Sequence, residues 1–143
     1  MGNICRSPVV EAVARDRFAE AGLDIEVASA GTEDYHIGER ADPRAIASAR
    51  AAGYDLGRHR ARQLGAADYA GFDWLLAMDR VNLRAALRVC PPDRADKLEL
   101  FLRHAGVSAE GEVPDPYYGD AAGFQRVIEL AEIGAAGLIA RLG

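Results

Sequence analysis

The chain has 143 residues, 50% hydrophobic and 27% charged, the length and composition of one globular domain able to bury roughly 70% of its unfolded surface. A net charge of -5 disfavours nucleic acid as the main partner. No apolar run is long enough to span a membrane, and no signal-peptide pattern opens the chain, so no membrane partner is expected. The two cysteines lack CxxC spacing, which argues against a disulfide framework and against zinc, and His36, His59 and His104 are scattered and make no ligand pair; a reducing, cytoplasmic setting is the default, and no cofactor is expected.

The front stretch Gly2-Asn3-Ile4-Cys5-Arg6-Ser7-Pro8 reads as a tight loop entering a helix. Ser7 suits an N-cap and Pro8 the first helical position. Val10, Ala14, Phe18 and Ala21 follow at helical spacing, up to Gly22. Ile25 and Val27 alternate with Glu26 and Ala28, predicting a short strand that ends near Ser29. Residues 30–42 read as a long loop, and 43–52 as a second helix closed by Gly53. Residues 55–64 are polar and arginine-rich, a solvated connector.

The apolar run from Phe72 to Met78 predicts a buried strand. Asp79 caps a helix with Leu83, Ala86, Leu87 and Cys90 inward, stopped by Pro91 and Pro92. Leu98 and Leu100 mark another strand, and residues 110–119 a loop around Asp115-Pro116-Tyr117-Tyr118. Phe124, Ile128, Ala131, Ala135, Leu138 and Leu142 recur in steps of four and three along a last helix. Strands alternating with helices indicate an α/β domain with a mostly parallel sheet, spanning residues 1–143.

A loop feeding a helix N-terminus presents backbone N–H groups to an anion, and the helix dipole adds to the attraction. Gly2 permits close approach, Asn3 tolerates a left-handed backbone, and Arg6 can grip phosphate oxygens with two prongs. The pattern is not a nucleotide-binding P-loop, because GxxxxGK[ST] is absent.

GNICRSP resembles the C-x-G-N-I-C-R-S-P signature of the low-molecular-weight protein tyrosine phosphatases, and Asp115-Pro116-Tyr117-Tyr118 resembles their late motif. Ser29-Ala30, Tyr35-His36-Ile37-Gly38, His59 to Leu64, Met78-Asp79 and Asn82-Leu83 match intermediate segments in the same order. The resemblance implies a small three-layer domain with a mostly parallel four-stranded sheet. It also implies that the first, central strand and the nucleophilic cysteine of Cys-x5-Arg fall before Met1, so that the 143-residue polypeptide lacks the covalent route.

The implied reaction is hydrolysis of phosphotyrosine or aryl phosphate through a cysteinyl phosphate. Arg6 would hold the phosphoryl oxygens within a loop of Gly2, Asn3, Ile4, Cys5, Arg6 and Ser7, and Asp115 would act as acid and then base. Asn3, Ser29 and His59 would support the loop, and Tyr35, Tyr117 and Tyr118 would wall the entrance. Ile4 favours phosphotyrosine, since the related arginine phosphatases carry threonine there. The implied partners are phosphotyrosine proteins, a tyrosine kinase among them, and inorganic phosphate or another oxyanion. Cys5, five positions past the nucleophile's place, would point away from phosphorus, and its family role as the nucleophile's disulfide partner lapses with that thiol. The alternatives are a phosphate-binding pseudo-phosphatase and an arsenate reductase, the latter disfavoured because Cys90 is the lone mid-chain thiol.

Overall fold

The structure is a computed structural model that describes residues 3–33, 36–108, 111–116 and 121–142. The first helix, α1 (Arg6–Glu20), buries Val9, Val10, Val13 and Phe18, the stripe its apolar spacing requires. Helix α2 (Pro43–Ala51) is capped by Asp42, whose carboxylate accepts from the Arg44 amide at 2.8 Å. A short helix, α3 (Ala66–Gly71), precedes strand β1 (Leu75–Ala77). Helix α4 (Arg80–Val89) leads through a 3-10 turn to strand β2 (Leu98–Leu100), which runs directly into α5 (Phe101–His104). The last helix is α6 (Ala121–Leu142).

β1 and β2 pair in parallel, with Leu75 opposite Leu98 and Ala77 opposite Leu100, and α4 makes the crossover. α4 covers this sheet, while α1, α2 and α6 pack on one another as a separate layer joined to the sheet through α5. The core runs between these helices through Val13, Ala45, Phe124, Val127 and Ala135, with Phe101 reaching in from α5. Helix α6 passes close to α5: a Cβ on Gly134 would meet the Phe101 ring at 2.3 Å, and one on Gly137 would meet the Ala105 carbonyl oxygen at 2.3 Å. The two small residues set that approach. Arg17, Tyr54 and Glu132 tie α1 to α6, with the Tyr54 hydroxyl donating to Glu132 at 2.6 Å.

Several expectations need correction. Residues 23–30 form no ladder among the described residues; Ile25 is 38% exposed, and only an isolated bridge, Gly31 with Gln63, follows. Alternation in a sequence selects a strand-ready segment, but a strand exists only once a neighbouring backbone takes its N–H and C=O groups. The run from Phe72 to Met78 is a strand over 75–77 alone and is half-buried rather than buried, because only one of its edges is paired. Leu87 and Leu142 are exposed: on α4 the inward stripe is Asn82 and Ala86, and α6 outruns the core it covers. The helix that Ser7 was expected to cap, with Pro8 as its first residue, starts two residues earlier, at Arg6, with no side-chain cap on its first turn. Among the described residues no helix is long and apolar enough to cross a membrane.

Candidate active site

The front loop is held by one buried residue. Asn3 has a left-handed backbone (φ 64°), which its short polar side chain tolerates better than most. It is 2% exposed, and every polar group on its side chain is used. Its Nδ2 donates to the Ser7 hydroxyl at 2.7 Å and the Ser29 hydroxyl at 3.0 Å, and its Oδ1 accepts from the Arg62 amide at 3.1 Å. Its carbonyl receives the His59 Nε2 hydrogen at 2.7 Å, which fixes the tautomer of that ring. The Ser29 hydroxyl passes its own hydrogen to Glu11 on α1. Ser7 is thus engaged by Asn3 rather than capping α1, and the N–H groups of the first turn of α1 carry no side-chain cap.

Arg6 follows at the mouth of α1, and it is 4% exposed. Its Nη1 donates to Asp79 Oδ2 at 2.7 Å and to the Val113 carbonyl at 2.8 Å, and Nη2 donates to Asn82 Oδ1 at 3.1 Å. Asp115 Oδ2 stands 3.8 Å from Nη2. A guanidinium has five N–H groups, and three are used by these bonds. Nε and the second Nη2 hydrogen have no hydrogen-bond acceptor among the described residues, and they lie on the guanidinium edge that suits a bidentate oxyanion. Asn82 Nδ2, buried on the same cavity wall, is a further donor with no partner among the described residues.

Asp79 holds this arrangement by using both oxygens. Oδ1 accepts from the Asn82 amide at 2.8 Å and so caps α4, while Oδ2 takes Arg6. Burial alone would push its carboxyl up, but the Asn82 amide and the Arg6 guanidinium outweigh that and hold it below the ordinary carboxylate range. Cys5 behaves in the opposite way. It is 7% exposed, and burial, then the Asp42 and Asp115 carboxylates, push its thiol up to about 12. It is a core residue and not a thiolate at neutral pH. Ile4 packs against the same core, and its carbonyl receives the Asp42 amide at 2.8 Å.

The structure therefore brings together Asn3, Ile4, Cys5, Arg6, Ser7, Ser29, His59 and Asp115. Gly2, Tyr35, Tyr117 and Tyr118 lie outside the described residues. The local reading found Asp79 as a helix cap but missed Asp79 and Asn82 as partners of Arg6, and it missed the role of Arg62. Arg62 keeps an exposed side chain but is more than a connector: its amide donates to Asn3 and its guanidinium to Asp68 at 2.9 and 3.1 Å. The signal available for Asp79 was a strand ending in Asp at a helix start, the carboxyl end of a parallel strand where α/β ligand sites gather. Among the described residues no group of three or more His, Cys, Asp or Glu could hold a metal ion.

A family model described as low molecular weight phosphotyrosine protein phosphatase matches residues 1–143. The chain belongs to this family. A low molecular weight protein-tyrosine-phosphatase of Streptomyces coelicolor is 44% identical over 97% of this chain and 87% of its own length. A protein tyrosine phosphatase from Entamoeba histolytica, solved with Hepes in its active site, superposes with a TM-score of 0.93 at 36% identity, over 99% of this chain and 92% of the other. The Wzb protein of Vibrio vulnificus, solved with benzylphosphonate, gives 0.86 at 29% identity, over 99% and 93%. The α/β class and parallel pairing expected from the sequence agree with these neighbours, and phosphate-type ligands belong to the active site of this family.

Proposed function

We propose that the Asn3–Ser7 loop binds the phosphoryl group of phosphotyrosine and related aryl phosphates, with residues 1–143 acting as one domain on phosphotyrosine proteins of the cytoplasm, a tyrosine kinase among them. The observation that carries this reading is the Arg6 edge left open beside the uncapped first turn of α1. Two aligned N–H groups, helix amides and a dipole favouring negative charge form a receptor for a tetrahedral oxyanion. Family membership and the benzylphosphonate held by the Vibrio vulnificus relative support the same ligand class.

The roles follow from position. Arg6 binds two phosphoryl oxygens and keeps its grip as charge builds on them in the transition state. Asp79, Asn82 and the Val113 carbonyl spend their bonds on aiming that guanidinium. Asn3, with Ser29 and His59, keeps the loop in the shape its left-handed residue requires. Asp115 is the acid that protonates a departing phenolate oxygen, a role supported by its 37% exposed side chain and its position 3.8 Å from Arg6.

Cleavage through a cysteinyl phosphate calls for a thiolate facing phosphorus. Cys5 is a buried thiol with its pKa pushed to about 12. Cys90 follows the last turn of α4, about 16 Å along the helix from Asp79. Neither thiol fits that role, and this observation favours binding without cleavage by these two cysteines as the second reading. Titration with benzylphosphonate, followed by calorimetry, tests the binding that both readings share. Saturable binding competed by orthophosphate is expected, and its absence would remove the proposal.

A further inference from the structure

The outward face of α4 carries two lines of side chains. Val81, Ala85 and Val89 recur in steps of four, and so do Arg80, Arg84 and Arg88 beside them. Val81 is 53% and Val89 68% exposed, although both are apolar. Glu112 holds Arg80, taking its amide at 2.9 Å and pairing with its guanidinium at 3.7 Å. Arg84 and Arg88 are exposed and form no ion pair among the described residues. In a chain of net charge -5 the row is a local cationic strip.

A cavity of about 250 Å³ adjoins the apolar line. Ala85 and Val89 of α4 line it, together with Leu64, Gly65, Ala66 and Tyr69 at and before α3. Both sides are fixed in place. The Tyr69 hydroxyl donates to the Ala86 carbonyl at 2.7 Å, and the Leu64 amide donates to the Gly31 carbonyl at 2.8 Å. Lys97 donates to the Tyr69 and Phe72 carbonyls at 3.0 and 2.9 Å. The groove is therefore pre-formed. Its volume is below the roughly 300 Å³ at which small-molecule pockets begin, so it suits an apolar side chain of a partner better than a free ligand.

We propose that α4 and residues 64–66 form a docking groove for an acidic amphipathic helix of a partner protein, which seats an apolar side chain between Val89 and Leu64 and sets its carboxylates on Arg84 and Arg88. From Val81 to Val89 is about 12 Å, two turns of a helix whose own apolar and acidic residues recur at the same steps. The apolar anchor supplies affinity, and the arginines fix register and choose the sign of the partner. A second copy docking through the same face would set Arg84 and Arg88 against their own counterparts, so the charge favours a different, acidic chain. The docking stands on α4 and the groove, independently of what the phosphate loop binds.

The test uses the 143-residue protein and a fluorescein-labelled helical peptide of about 16 residues, long enough to hold a helix. Leucine and phenylalanine recur in it in steps of four and three, with glutamates beside them. Fluorescence anisotropy should show saturable binding that weakens as salt rises. The same peptide with lysine for glutamate, or with alanine for its apolar residues, should bind at least tenfold more weakly. The double variant Arg84→Glu, Arg88→Glu should lose the glutamate peptide at least tenfold and gain the lysine peptide, with orthophosphate affinity unchanged. Val89→Asp should weaken the glutamate peptide by a similar factor. Equal binding of the glutamate and lysine peptides, or binding undiminished in the double variant, would overturn the proposal. Binding to phosphatidylserine vesicles without binding to the peptide would overturn it in favour of a membrane surface. Dimers in light scattering that Val89→Asp dissolves would overturn it in favour of a second copy.

Discussion

Asn3 is the residue on which the phosphate loop turns, and replacing it separates two physical effects. Asn3→Ala removes the bonds to Ser7, Ser29 and the Arg62 amide. At about 1 kcal/mol net for each neutral hydrogen bond, that is about 3 kcal/mol. It also forces a Cβ with no compensating polar group to a φ of 64°, which adds about 1 kcal/mol. The alanine variant should therefore lose about 4 kcal/mol, and Asn3→Gly, which loses the same bonds without the backbone strain, about 3 kcal/mol. Urea unfolding of the two variants and the parent, read by circular dichroism, measures both differences. Glycine normally destabilises relative to alanine, so the reversed order is diagnostic. An alanine variant as stable as the glycine variant would refute the left-handed geometry, and losses below about 1 kcal/mol would refute the bonding argument.

Further outcomes follow from the same geometry. Asp79 has a folded-state pKa below the unfolded value near ~3.9, so its stabilisation is present above about pH 4 and lost as pH falls through the lower folded value. The stability gap between the parent and Asp79→Asn should accordingly be flat near neutral pH and shrink only below about pH 4 in urea titrations; a gap that grows with acid would contradict the assignment. Cys5, with a thiol pKa of about 12, should react with iodoacetamide at pH 8 roughly a thousandfold more slowly than a free thiol, as followed by peptide mass mapping. Comparable rates would show that the thiol is neither buried nor raised. Gly137→Ala would place a Cβ 2.3 Å from the Ala105 carbonyl oxygen and should cost about 1–3 kcal/mol in thermal unfolding, since a backbone atom cannot swing aside as a side-chain tip can.

What could be read from the sequence was what neighbours along the chain decide. The left-handed Asn3, the α1 stripe of Val10, Ala14 and Phe18, the Asp79 cap on α4 and the inward face of α6 up to Ala135 all depend on residues a few positions apart. What could not be read depends on partners far away in sequence. Arg6 is aimed by Asp79 and Asn82, 73 and 76 residues on, and the Arg62 amide reaches Asn3 across 59 residues. The resemblance marked Met78-Asp79 and Asn82-Leu83 as matching segments but not what they do. The segment at 25–29 has the alternation of a strand and no ladder, because pairing is a property of two backbones and alternation of one. Leu87 and Leu142 have the right spacing but stand beyond the surfaces that would have covered them.

The central claim is that Arg6 grips an oxyanion in the front loop. Calorimetric titration of the 143-residue protein with orthophosphate tests it directly, using the parent, Arg6→Lys and Arg6→Ala, each shown to be folded by circular dichroism. Lysine keeps the charge but not the two-pronged edge, so it should bind about tenfold more weakly, and alanine should lose saturable binding. Orthophosphate affinity unchanged in Arg6→Ala would contradict the account.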